Sequence, residues 1–386
     1  MMNPFKRLFE KRSETFTHPA LIPSGSVSGA IVTPDNVESV SAAFASVQAI
    51  SESVASLPLK LYRRLPNGDR ETEPGHPLYQ VLHDRPNPNQ TSLEFREQLM
   101  ATVLLRGNAY AEIERDGQAN VIGLHPLHPD RVTVLKLNNG RIAYDVTGDN
   151  GQARRLLQDE VLHLKDRSEN GITGRSRVQI ARETMGLAIS QQNHGARTFS
   201  NGTRLSGVLQ TPHQMTDESI QRLARDWQSQ FQGQENAGKT AILENGLEYE
   251  KLSMTLEDAE WLSAMKFSVE QVARIFRVPP TMIGDLTHGN FSNTQETARH
   301  FVVHSLKRWL VMWEQAISKS LLGPIARQQF FAEHSLDGLL RGDSKNRAEF
   351  YQLGIESGWM LPSEARRLEN LPTVEGIDDA ARTEAA

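Results

Sequence analysis

The sequence predicts an α+β fold, in two to three domains or one elongated one. Three observations carry this. Residues 108–165 read as consecutive short strands joined by turns, without the strand–helix alternation of a parallel sheet. Long helical stretches at 177–200 and 257–277 flank a region of short strands and one helix. A third stretch, 293–322, keeps one apolar stripe over a length of about 45 Å at about 1.5 Å per residue.

In chain order, residues 1–32 predict a flexible N-terminal arm, because 13–32 are rich in Ser, Thr, Pro and Gly. Thr33 and Pro34 are start signals for a helix whose face is Val37, Val40, Phe44, Val47, Val54 and Leu57, and Leu57-Pro58 ends it. LKLYRRLPNGDR predicts a strand entering a turn at Asn67-Gly68. Thr91 and Glu94 form a capping box ahead of a helix carrying Leu93, Leu99, Met100, Val103 and Leu104, which Gly107 stops. Hairpins follow about Asp116-Gly117 and Asn139-Gly140, then a strand at 160–165. GVLQ (207–210) is a short strand, and Thr216 opens a helix striped by Ile220, Leu223, Trp227 and Phe231. Residues 240–250 are strand-like. The helix at 257–277 buries Trp261, Leu262, Met265, Val269, Val272 and Phe276 on one face and breaks at Val278-Pro279-Pro280. Ser292 and Gln295 form a second capping box for the long helix, striped by Val302, Leu306, Leu310, Trp313, Ile317 and Leu321. Two helices near 344–356 and 362–370 complete the chain. No internal repeat is visible.

Composition narrows the function classes. The chain of 386 residues has no cysteine, which removes disulfides, thiolate metal sites and cysteine nucleophiles together. No run approaches the 18 or so consecutive apolar residues of a membrane span, so no membrane partner is expected. The net charge is −5; residues 1–12 hold four bases and one acid, so +3 there leaves −8 for the rest. Tight nucleic-acid binders gain affinity by neutralising phosphates with Lys and Arg, and this body does the opposite on average.

One string invites a catalytic reading. GQENAGKT (233–240) satisfies the phosphate-loop pattern of ATPases, with Gly233, Gly238, Lys239 and Thr240 in place. Such a loop follows a strand and opens a helix, whose N-terminal amides face the phosphates. Here a helix precedes and a strand follows, so a P-loop ATPase is the weaker alternative and a solvated turn the stronger. His125 and His128 lie on a proline-punctuated segment and read as a surface turn rather than a metal pair. His300 and His304 are one helical turn apart, with no acid to complete a ligand set. His163 reads as packed in a sheet, and Trp309 and Trp313 as core or interface. No nucleophile elbow or dinucleotide fingerprint is present; no catalytic, cofactor or metal residues are assigned, and the chain is expected not to be an enzyme.

Ten stretches, in order over about residues 36–370, carry a resemblance. They are VASLPLKLYRR (54–64), HPLYQVLHDRPNPNQTSLEFREQLM (76–100), LLRGNAYAEIERDG (104–117), GLHPLHPDRV (123–132), EVLHLK (160–165) with the GITGRS that follows it, FSNGTRLSGVL (199–209), NAGKTAILENGLEYEKLS (236–253), ARIFRVPPTMIGDL (273–286), NFSNTQE (290–296) and SGWMLPSEARRLENLP (357–372). Together they resemble the portal proteins, or head–tail connectors, of tailed bacteriophages, in the branch typical of siphoviruses. NAGK followed by a strand recurs in that family in a domain without nucleotide.

The resemblance implies an elongated subunit assembling into a ring, usually of twelve, at one capsid vertex. Double-stranded DNA would be packaged and ejected through it. It implies a β-rich wing over 33–176, stem helices over 177–204 and 256–280, and a small α/β clip over 205–255. A tunnel loop would follow over 281–293, then the long wing helix and a strand over 294–339, and a helical crown and tail over 340–386. Partners would be the terminase large subunit, head–tail connector or adaptor proteins and the major capsid protein. The location would be the virion, and the host cytoplasm during assembly. His288, Asn290, Phe291, Ser292 and Asn293 would touch DNA in the bore, being polar tips and one apolar knob that make contact without a salt-dependent grip. Gln234, Glu235, Asn236 and Lys239 would lie where the clip meets motor and connector.

Overall fold

A computed structural model describes residues 12–16, 24–148, 150–200, 208–212, 214–231, 248–250, 256–285, 294–336, 344–369, 371–372, 374 and 376–378. Within the stretch read as a flexible arm, β1 (Arg12–Phe16) forms, followed by the small ladder of β2 (Ser24–Gly25) and β3 (Ile31–Val32). Thr33 caps α1 (Pro34–Val37): its Oγ1 accepts from the Asn36 amide at 3.2 Å, and Asn36 Oδ1 accepts from the Thr33 amide at 2.8 Å. The single helix expected up to Leu57 is interrupted here. The Ser39 hydroxyl donates to the Asn36 carbonyl at 2.7 Å, a local bond that competes with the helical ladder. A new helix, α2 (Ser41–Ser56), then starts. Its buried face is Ala43, Val47, Ile50 and Val54, while Phe44, expected in the core, is 49% exposed.

Strands β4 (Leu59–Arg64) and β5 (Arg70–Thr72) form the expected hairpin, with Gly68 at φ 88° in its turn. Helix α3 (Pro77–His83) leads to α4 (Ser92–Arg106), whose capping box is present as read: Glu94 Oε2 accepts from the Thr91 amide at 2.8 Å. β6 (Asn108–Arg115) and β7 (Val121–Leu127) make the next hairpin. Its left-handed residue is Ala119, at φ 68°, rather than Gly117. The Asp116 carboxylate accepts from the Gln118 and Asn120 amides at 2.8 Å each, so side-chain bonds hold a wider loop than the tight turn expected. β8 (Val132–Leu137) and β9 (Ile142–Thr147) turn at Gly140; β10 (Ala153–Leu157), unmarked in the sequence reading, precedes β11 (Val161–Lys165).

The helical half follows: α5 (Arg177–Ile180), α6 (Arg182–Ser200), β12 (Val208–Gln210), α7 (Asp217–Phe231), β13 (Glu248–Glu250) and α8 (Leu256–Phe276). α9 (Thr294–Phe301) continues through a π-helical turn, Val302–Leu306, into α10 (Lys307–Ser320). α11 (Ala326–Gln329), β14 (Phe330–His334), α12 (Ser344–Glu356) and α13 (Pro362–Leu368) end the described chain.

Among the described residues every ladder between the named strands is antiparallel, in keeping with an α+β fold. One sheet runs β11-β6-β7, a second β1-β8-β9-β10, and a third β14-β4-β5. β1 covers an edge of β8 that would otherwise expose unpaired backbone groups. The main core joins α2, α4, α8, α10 and the inner faces of β4, β6 and β11. Trp309 and Trp313 are 1% exposed, so the core reading of the two tryptophans is correct, and Phe95 meets Trp313 edge-on at 6.4 Å. A second core lies between the sheets β11-β6-β7 and β1-β8-β9-β10, around Tyr110, Val134, Tyr144 and Val161. His163 is packed there as expected: Tyr144 O–H reaches its Nδ1 at 3.2 Å, and its Nε2–H donates to Asn108 Oδ1 at 3.0 Å.

Candidate functional site

Helices α6 and α8 pack antiparallel. Gly195 lies against Trp261, and seven residues further along α8 the Ser268 hydroxyl donates to Gln191 Oε1 at 2.5 Å. A Cβ at Gly195 would stand 2.9 Å from Trp261 Cζ2, so the missing side chain sets how closely the helices approach. α8 ends where the proline pair was expected to end it. The Val278 amide donates to the Ala273 carbonyl at 3.0 Å and the Arg277 amide to the Arg274 carbonyl at 3.1 Å, closing the helix through a left-handed residue. That residue is Arg277, at φ 61°, where a side chain carries strain that glycine would avoid. The Ser305 hydroxyl, from the π-helical turn, holds the Arg277 carbonyl. A 3-10 turn, Pro280–Ile283, then launches the polar segment that leads to α9.

A cleft of about 800 Å³ opens at this junction, lined by Glu270, Arg274, Arg277, Glu296, His300 and His304 among others. The two histidine rings lie 4.3 Å apart, tilted at 44°. Among the described residues no cluster of three or more His, Asp or Glu could hold a metal.

Beside it sits a buried ionic cluster. Asp166, 5% exposed, accepts from Arg177 Nε and from Arg308 Nη2, each at 2.7 Å. Arg177 also donates to the Ile275 carbonyl at 3.1 Å, which ties the end of α8 to the cluster. Both guanidiniums stack on Trp309, at 5.0 Å for Arg177 and 4.5 Å for Arg308. From here a groove of about 790 Å³ runs along α10, lined by His163, Lys165, Arg277, His304, Lys307, Arg308 and Lys319, with Val303 and Val311 between them. No carboxylate among the described residues lines it. Burial, and then the nearby Lys319 charge, hold the Lys165 ammonium below its usual range. Burial also lowers Arg308, opposed by Asp166. No sequence signal marks this groove, because its cations come from β11, the end of α8 and one face of α10.

The profile of the phage portal protein family matches residues 41–370. The chain belongs to the phage portal protein family. It is 30% identical over 378 residues to the probable portal protein of Streptomyces phage phiC31, covering 94% of this chain and 82% of that protein. It is 30% identical over 354 residues to the portal protein of Enterobacteria phage HK97, covering 91% and 83% respectively. Its fold is similar to that of a subunit from the neck of a native gene transfer agent particle, solved with C12 symmetry: TM-score 0.62, 22% identity, 96% and 99% of the two chains covered.

Two landmarks of this portal chain gain a physical role. In LLRGNAY, Arg106 bridges Asp35 at 2.7 Å and Asp130 at 3.4 Å, and Gly107, at φ 78°, passes so close to residue 175 that a Cβ would lie 2.4 Å from its carbonyl carbon. Asn108 then clamps GITGRS by accepting from the Gly174 amide at 2.7 Å and donating to its carbonyl at 2.8 Å. The tunnel-loop residues His288, Asn290, Phe291, Ser292 and Asn293 lie outside the described residues, as do Gln234, Glu235, Asn236 and Lys239. GQENAGKT itself lies outside the described residues; the nearest described elements are α7, which ends at Phe231 before it, and β13, which begins at Glu248 after it. His125 proves to be a strand residue in β7, its Nε2 2.9 Å from Glu114 Oε2, and His128 caps the 3-10 turn that follows.

Proposed function

We propose that copies of this chain, twelve in number, close into a ring at one capsid vertex, through which double-stranded DNA is packaged and later ejected. The observation that carries this reading is the antiparallel pair α6 and α8, ending in a pinned turn that launches residues 286–293, in a chain of portal lineage. The pair forms the stem that lines the bore. The segment after it is the tunnel loop, and residues 205–255 are the clip that docks the terminase large subunit and later the head–tail connector. The β-rich part and the α9–α10 helix form the wing, in contact with the major capsid protein, and α12 and α13 the crown. The protein works in the virion, after assembly in the host cytoplasm, with no catalysis of its own. The gene transfer agent neck supports the twelvefold count.

The net charge of −5 fits this task. A basic lumen would add attraction for each passing phosphate; an acidic wall lets the duplex slide. The test replaces His288–Asn293 with a Gly-Ser segment. Rings with a central hole wide enough for a duplex are expected to form normally by negative-stain microscopy, while packaging or DNA retention drops. Wild-type packaging and retention in that variant would remove the loop from the mechanism.

A further inference from the structure

Two surfaces of the described chain are complementary in charge. Along the π-helical turn and α10, Val303 and Val311, 49% and 38% exposed, flank Lys307, with Lys165 and Lys319 further along the same groove. The opposite character belongs to α2 and α4, which pack on each other through the core. No Lys or Arg occurs between Arg12 and Lys60, and α2 turns Phe44 and Glu52 outward. On α4, Leu93 is 47% exposed and Glu97 is partly exposed. One surface therefore alternates apolar groups with cations, the other apolar groups with carboxylates.

We propose that the α10 groove of one copy receives the α2–α4 face of the next copy in the ring; the inference rests on the ring reading above. A ring of identical subunits needs a heterologous interface, in which two different patches of the same chain meet. Here each patch answers the other. Lys165 and Lys319 repel each other in the isolated chain, and a neighbour's carboxylates relieve that repulsion. Phe44 and Leu93 of the neighbour leave water against Val303 and Val311. A duplex in the same groove would satisfy the lysines and leave both valines facing phosphates.

The test is a charge-reversal cycle on the full chain, read by native mass spectrometry and negative-stain microscopy. Lys307→Glu with Lys319→Glu, and separately Glu52→Lys with Glu97→Lys, are each expected to reduce ring yield by at least about tenfold, and the combined variant to recover most of it. Circular dichroism of each variant shows whether it is folded. Because the chain has no cysteine, Val311→Cys supplies an independent readout: maleimide labels it in the monomer and not in the ring. Rings at wild-type yield in both reversals, or equal labelling of Val311→Cys in monomer and ring, overturn the interface while leaving the ring reading standing. Intact rings that lose DNA retention on reversal of Lys307 and Lys319 assign the groove to nucleic acid instead. A wild-type chain that forms no ring overturns the ring reading first, and the interface with it.

Discussion

Asp166 joins three distant parts of the chain through one carboxylate. It ends β11, and it binds Arg177 at the start of α5 and Arg308 in α10. A carboxylate 5% exposed loses most of its hydration, and two charge-assisted bonds offset that cost. Removing the charge but keeping the shape leaves two guanidiniums facing a neutral amide. Asp166→Asn is therefore expected to lower stability by about 2–3 kcal/mol, below the range for a fully enclosed pair because the Arg308 side chain is 41% exposed. Urea unfolding followed by circular dichroism measures this; a loss under about 0.5 kcal/mol would mean that desolvation already cancels the pairing. Nothing in DRSENGITGRS announces the cluster, since Arg308 is far away in sequence and its partner is set by packing alone.

Between elements, the α6–α8 contact is decided by an absent side chain. Gly195→Leu drives a branched group into the Trp261 ring, and overpacking of this kind costs about 1–3 kcal/mol, against about 1 kcal/mol regained in helix propensity. A net loss is expected in urea unfolding, and a stabilised variant would show that the helix pair has slack. Helix starts and stops were legible where local chemistry fixes them. The Thr91–Glu94 box, the Gly107 stop and the proline break after Phe276 all stand where the residues put them. The break between α1 and α2 was not legible: Asn36 and Ser39 divert backbone bonds and the helix restarts at Ser41, yet Val37, Val40, Val47, Val54 and Leu57 are buried as expected and Phe44 turns outward. The long-helix stripe Val302, Leu306, Leu310, Trp313, Ile317 and Leu321 is buried throughout, yet the π-helical turn within it escaped the pattern. Ser305 reaching across to the Arg277 carbonyl accompanies that turn, and such a bond depends on where α8 ends.

For the whole molecule, acidity and lineage point the same way. In the proposed ring, with the α10 groove covered by a neighbour, that cationic groove is closed to free duplex DNA. Fluorescence anisotropy at physiological salt should then give a Kd weaker than about 10⁻⁵ M, in the ordinary non-specific range, with a shallow salt dependence. Sub-micromolar binding with a steep salt slope would contradict the proposal of a wall along which DNA slides.

By itself the sequence determined the fold class, most helix boundaries, two of the hairpins and the charge balance, because these follow from local bonding, periodicity or simple sums over residues; the family showed in the order of ten short stretches. The tertiary structure alone decided that β14 completes the sheet of β4, that Asp166 gathers two arginines, and that lysines from separate elements share one groove beside exposed valines. Those are meetings between segments remote in the chain. Only packing of the whole core brings them within bonding distance.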